Sequence, residues 1–272
     1  MPWVDHNGVR LQFEVHGKGR SLLLTHDFLG AVDSWDAQVG PLSRYFKVIR
    51  WDMRGHGQSD YPESPDVYTE RMFLADMRAV LAAADSRSAV LVGHGLGANL
   101  SLAFAIAYPR WVRGLILSSP EVPCQAGMPG RNETAGPALA DYYSARGFVT
   151  SGSLPPDPVL TRRHRHPWGL SCTARTVLGA KDSLLKGRLK EISVPTLVMT
   201  VDEIDTYQDQ VIACLLTHVP QAKMVPLLER GHYINGTGAA PFNAAIAEFL
   251  ADHRQASGRH GIISRHIGEG RV

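Results

Sequence analysis

The residues with the clearest chemical meaning are Gly93, His94, Gly95, Leu96 and Gly97, set between a β-branched and leucine run and an almost wholly apolar stretch that ends near Ala107. A strand, a sharp glycine-flanked turn and a helix in that order match the G-x-S-x-G pattern, which lifts a serine Oγ clear of its sheet so that it can attack a carbonyl. Here glycine stands where the serine would be. Without an Oγ, Sγ or carboxylate at position 95, this turn cannot itself form a covalent intermediate. Gly95 is nevertheless the least strained occupant of such a turn, because its backbone region costs other residues about 1–3 kcal/mol. Gly93 and Gly97 are expected to let the helix approach the strand closely.

Around this turn the chain alternates strands and helices. Asn7-Gly8 predicts a hairpin turn between two short strands within residues 2–16, with Val9, Leu11, Phe13 and Val15 alternating inward. SLLLT at 21–25 reads as a strand buried on both faces, and FKVIRW at 46–51 as another. Tyr68 to Asp85 has helical spacing of Phe73, Met77, Val80, Leu81 and Ala84. RGLILS at 113–118, VPTLVMT at 194–200 and the stretch from Lys223 to Leu228 supply further strands, and a helix is expected from about Ala239 to His253. Strand and helix alternation implies a mostly parallel sheet with right-handed crossovers. From Glu121 to about Ser193 strand runs vanish and proline and glycine become frequent. The expected division is a core at 1–120 and 194–254, a cap or lid at 121–193, and a flexible tail at 255–272.

Taken together, the turn at His26, the D-x-R-G-H-G-x-S stretch from Asp52 to Ser59, the elbow at Gly95 and Gly231-His232 after the last strand resemble the α/β-hydrolase superfamily. The similarity is to small ester and lactone hydrolases of the 3-oxoadipate enol-lactonase kind, over about Val9 to Leu250. It implies an α/β fold with an eight-stranded sheet, helices on both faces and a helical lid after strand six. It also implies His232 as general base and the amides of Phe28 and Leu96 as an oxyanion hole. The acid partner is left open: Glu121 falls where relatives such as haloalkane dehalogenases carry it, and Asp205 lies one residue past the usual place, with Asp202 and Glu203 before it. Asp27 replaces the usual glycine of its turn, either capping that turn or meeting substrate. Trp168 and Tyr142 are candidate substrate contacts from the lid, along with Tyr143 and Phe148.

The expected activity is hydrolysis of a small ester or lactone without an elbow nucleophile. The alternatives are a non-catalytic small-molecule receptor and a cofactor-free isomerase or lyase that uses His232 as base. The 28 basic and 26 acidic residues give a formal charge of +2, which provides no global field for nucleic acid or membrane. Cys124, Cys172 and Cys214 lack metal or disulfide spacing, as suits a reducing cytoplasmic setting. No dinucleotide or phosphate fingerprint follows a strand, so no cofactor and no metal is expected. A homodimer is left open. His94 is expected to be a packing residue, Asp52, Arg54 and Ser59 loop architecture, and the run Arg162 to His166 a solvated face.

Overall fold

The computed structural model describes residues 2–122, 131–146, 162–178, 183–201, 205–227 and 234–257. Strands β1 (Trp3–His6) and β2 (Val9–His16) turn at Asn7 and Gly8, whose φ values of 56° and 75° are those a two-residue hairpin demands. Six further strands follow: β3 (Ser21–Thr25), β4 (Lys47–Trp51), β5 (Ala89–His94), β6 (Val112–Ser118), β7 (Thr196–Val201) and β8 (Ala222–Leu227). They form one sheet in the order β1-β2-β4-β3-β5-β6-β7-β8, with β1, β2 and β4 paired antiparallel and every later pair parallel. The expected eight-stranded, mostly parallel α/β sheet is the fold of this protein.

The apolar runs explain the layering. Leu22, Leu23 and Leu24 of β3 are each fully buried, because neighbouring residues face opposite sides of a sheet that is covered on both. Leu23 joins the core beneath α2 (Glu70–Ala83) and α3 (Leu96–Ala107). Leu22 and Leu24 join the other core, with Trp35, Phe242, Ile246 and Leu250. Helix α1 (Asp36–Ser43) follows a short 3₁₀ turn that buries Trp35. Helix α2 starts on Thr69, whose hydroxyl accepts from the Met72 amide, and it buries the residues its spacing marks.

Between β6 and β7 the described residues form α4 (Arg131–Arg146) and α5 (Pro167–Thr173), and the latter continues as a π-helical turn through Leu178. Helix α6 (Thr206–His218) joins β7 to β8. The last helix, α7 (Ala239–Ser257), runs three residues into the stretch assigned to a tail from sequence. Residues 258–272, with the rest of that tail, lie outside the described residues. Among the described residues no helix is long and apolar enough to cross a membrane.

Candidate active site

Strands β3 and β5 are parallel neighbours with Thr25 opposite Gly93, so the chain leaves both at the same edge, side by side. From β3 comes the turn His26 to Gly30, closed by the Gly30 amide donating to Asp27 O at 2.8 Å. From β5 comes Gly95, at φ 53° and ψ −117°, immediately before α3. A sharp strand-turn-helix with a positive-φ glycine therefore stands at position 95. A Cβ on Gly97 would lie 2.1 Å from Thr25 O, so glycine there is what lets α3 sit against the end of β3. This is the C-terminal edge of the parallel strands, where open α/β sheets bind ligands.

The space above Gly95 is not empty. The Leu96 amide, the first of α3, donates to Asp27 Oδ1 at 2.8 Å. A Cβ on Gly95 would fall 2.0 Å from that same oxygen, 2.4 Å from Asp27 Cγ and 3.0 Å from Oδ2. The carboxylate of Asp27 thus stands where an elbow side chain would stand. The Leu96 amide that the resemblance implies as an oxyanion donor is thus bound to Asp27. The physical reason is the helix terminus: four amides there lack partners within the helix, glycine offers none of its own, and an anion is favoured by the dipole. Asp27 caps α3 from 69 residues away in sequence, rather than its own turn.

The turn that carries Asp27 is held from behind. Three consecutive carbonyls each accept from a different imidazole: Asp27 O from His26 Nδ1 at 2.7 Å, Phe28 O from His56 Nε2 at 2.8 Å, and Leu29 O from His164 Nε2 at 3.3 Å. The rings stand in file, with centroids 5.3 Å and 5.5 Å apart, and all three side chains are buried. Amides donating to His26 Nε2, from Met53, and to His164 Nδ1, from Gly57, fix which nitrogen of each carries the proton. Burial, followed by the neighbouring His56, holds His26 well below the usual histidine range, and the same two causes push His164 down to about 3. Burial lowers His56 as well. His26 and His164 each accept an amide on one ring nitrogen and so are held neutral, whereas His56 faces a carbonyl with each of its nitrogens, Phe28 O at 2.8 Å and Arg54 O at 3.0 Å, and as a neutral ring donates to only one of them.

Arg162 and Arg165 are exposed, as the expected solvated face requires, but His164 is buried and Arg163 half-buried, which corrects that reading for these two residues. Arg163 Nη1 donates to Leu29 O at 3.1 Å and its Nε lies 2.9 Å from an Asp33 oxygen, so this segment is fastened to the Asp27 turn. The D-x-R-G-H-G-x-S stretch supplies the remaining support. Asp52 accepts from the amides of Val32 and Gln58, and burial raises its pKa to about 6. Arg54 pairs with buried Asp76 through two bonds of 2.6 and 2.7 Å, and the Ser59 hydroxyl donates to Asp52 O. His56 and His164 are contributions that sequence reasoning passed over; the glycine-rich D-x-R-G-H-G pattern was the signal for the first.

The other sequence candidates are placed as follows. Phe28 is buried, edge-on to His56 and Tyr143. Glu121 lies just past β6, its backbone clamped by the Asn99 side chain at 2.9 and 3.3 Å. Asp205 is exposed and caps α6, accepting from the Gln208 amide at 2.9 Å. Trp168 stacks on His166 and donates its indole N–H to Tyr61 O. His94 is buried with Nδ1 3.1 Å from Ser118 Oγ. His232, Asp202, Glu203, Phe148 and the side chain of Tyr142 lie outside the described residues. A cavity of about 580 Å³ lined by Arg20, Ser86, Arg87 and Arg113 opens at the opposite, N-terminal edge of the strands, away from this site.

Comparison with known proteins agrees with this architecture. A family model described as alpha/beta hydrolase fold matches residues 20–160, just over half the chain. The chain belongs to the α/β-hydrolase fold family. Among curated α/β-hydrolase relatives, epoxide hydrolase 3 of Mus musculus is 32% identical over 121 residues, which is 44% of this chain and 33% of that protein. A putative carbamate hydrolase, RutD, of Azorhizobium caulinodans is 32% identical over 117 residues, 43% of each chain. The matches thus span between a third and a half of these relatives. Among solved structures, an epoxide hydrolase of Bacillus megaterium superposes with a TM-score of 0.73 at 18% identity, covering 92% of this chain and 100% of that one. An enol-lactonase from Burkholderia xenovorans gives 0.70 at 22% identity with the same coverage. At these identities the superpositions speak for the fold.

Proposed function

We propose that this α/β-hydrolase adds water to a small neutral electrophile, in the ester, lactone or epoxide class, at the edge of the sheet where the Asp27 turn meets Gly95. The observation that carries the reading is the Leu96 amide at 2.8 Å from Asp27 Oδ1. The Leu96 amide, which the resemblance assigns to developing negative charge, is bound to a carboxyl oxygen at the start of α3, and this contact supports the reading. The names of the relatives support a hydrolase, and the ester and lactone classes follow the sequence resemblance. His232, which follows β8, is assigned as the base that takes the proton from water, with Glu121 or Asp205 as the carboxylate that orients it. The segment at 121–193 is assigned as the lid over the site, with Trp168 and Tyr142 as its substrate contacts.

A panel of small esters, lactones and epoxides, assayed by product mass with the full chain and with His232→Ala, tests this reading. Turnover of one class with addition of one water, lost in His232→Ala, supports it. Saturable binding with no turnover of any class would identify a receptor that kept the fold. Conversion without change of mass would identify an isomerase that uses the same histidine.

A further inference from the structure

Resting on that hydrolase reading, we infer that Asp27 is the nucleophile, displaced from the elbow to the turn opposite, and that the substrate is electrophilic at a saturated carbon, as an epoxide is. An aspartate at position 95 would carry its carboxyl carbon about 1.5 Å from its Cβ. Asp27 Cγ lies 2.4 Å from that Cβ position, with the two oxygens at 2.0 and 3.0 Å. Gly95 is what makes this arrangement possible, since any side chain there would collide with the carboxylate. Two departures from the family pattern, at positions 27 and 95, therefore form one exchange: the side chain lost from the elbow is replaced across the cup.

A helix cap alone would explain the bond to Leu96, but not the bracing of the turn behind it. The carbonyls of Asp27, Phe28 and Leu29 are each bound by a buried imidazole, two of them from residues far away in sequence. That fixes the peptide planes on which the position of Asp27 depends, as a reacting group needs. The bond to Leu96 also selects the substrate class. Oδ1 sits on the oxyanion donor, which is where the carbonyl oxygen of an enzyme-bound ester must sit for that ester to be hydrolysed. An acyl substrate would need the same donor for its own oxygen. An alkyl electrophile does not.

The reaction balances as follows. Oδ2 attacks a ring carbon of the epoxide, a C–O bond forms, the ring C–O bond breaks with its electron pair going to the departing oxygen, and that oxygen takes a proton from solvent. The product is a glycol monoester of Asp27. Water then attacks Cγ and its proton passes to the base; negative charge develops on Oδ1 against the Leu96 amide. Collapse breaks the Cγ–O bond to the diol oxygen, which takes the proton back from the base, and the carboxylic acid left on Asp27, with one oxygen from water, returns its proton to solvent, so that epoxide and water give diol.

Single turnover with excess enzyme and a small aryl epoxide in ¹⁸O water, followed by peptide mass analysis, tests this. The label is expected in the peptide containing Asp27 and absent from the first equivalent of diol. Asp27→Asn keeps an oxygen for the Leu96 amide, so its fold should persist, while epoxide turnover falls by about a thousandfold or more. Returning the carboxylate to the elbow, in the double variant Asp27→Gly with Gly95→Asp, is expected to recover turnover and to move the label to the peptide containing residue 95. Label in the diol with none in Asp27, or Asp27→Asn turning over epoxide at the rate of the unaltered chain, overturns the displaced nucleophile. Ester or lactone turnover in the same preparation that survives Asp27→Asn would overturn it while leaving the hydrolase reading standing. Failure of every substrate class together with no label in Asp27 would overturn both.

Discussion

Replacing Gly95 with alanine should destabilise the protein by an amount that depends on whether Asp27 is present. Two costs are expected from the geometry. The backbone at φ 53° and ψ −117° penalises an L side chain by about 1–3 kcal/mol. The new Cβ, 2.0 Å from Asp27 Oδ1, forces the carboxylate off the Leu96 amide, and a hydrogen bond to a charged group contributes about 1.5–3 kcal/mol. Gly95→Ala alone should therefore cost about 2.5–6 kcal/mol. Asp27→Ala alone loses only the bond, about 1.5–3 kcal/mol. In the double variant the bond can be lost only once, so its cost should equal that of Gly95→Ala rather than the sum. Urea unfolding of all four proteins measures this as a coupling of about 1.5–3 kcal/mol. Additivity to within about 0.5 kcal/mol would mean that the carboxylate does not occupy the elbow position, and the reasoning about Asp27 would fail.

Two further outcomes follow from the groups that brace the site. Asp76→Ala leaves the guanidinium of Arg54, 1% exposed, without its partner, and breaking a buried pair of this kind should cost about 3–5 kcal/mol by urea unfolding. Because the pKa of His164 is held at about 3 in the fold and is near 6.5 in the unfolded chain, the unfolded state takes up the proton first as pH falls. Its contribution is complete above pH 6.5 and is lost on acidification, by about 2 kcal/mol at pH 5. His164→Gln should flatten the stability profile between pH 7 and pH 5 by that amount; an unchanged slope would contradict a neutral buried ring.

Much of this was legible in the chain because it depended on local pattern. Asn7-Gly8, the unbroken Leu22 to Leu24 run and the Gly93-x-Gly95-x-Gly97 spacing each report a backbone requirement that holds wherever the segment sits. Within residues 162–166 the solvated-face reading failed at His164 for the opposite reason. His164 is buried because the turn at Leu29, 135 residues away, offers it a carbonyl, and no local pattern carries that information. Asp27 falls between the two cases. Both unusual residues were visible, one on each side of the cup. That the two sit together became visible only when β3 and β5 were seen to leave the sheet as parallel neighbours, with a helix amide that has no partner within its own helix bound to Asp27 between the two turns.

The central claim is that the Asp27 carboxylate, and not an empty space, faces the start of α3. The amide proton of Leu96 reports this most directly by ¹H–¹⁵N NMR. It is expected to resonate downfield, as an amide bonded to a carboxylate does, and to move upfield in Asp27→Ala. A Leu96 amide that is unmoved by that substitution would contradict the account.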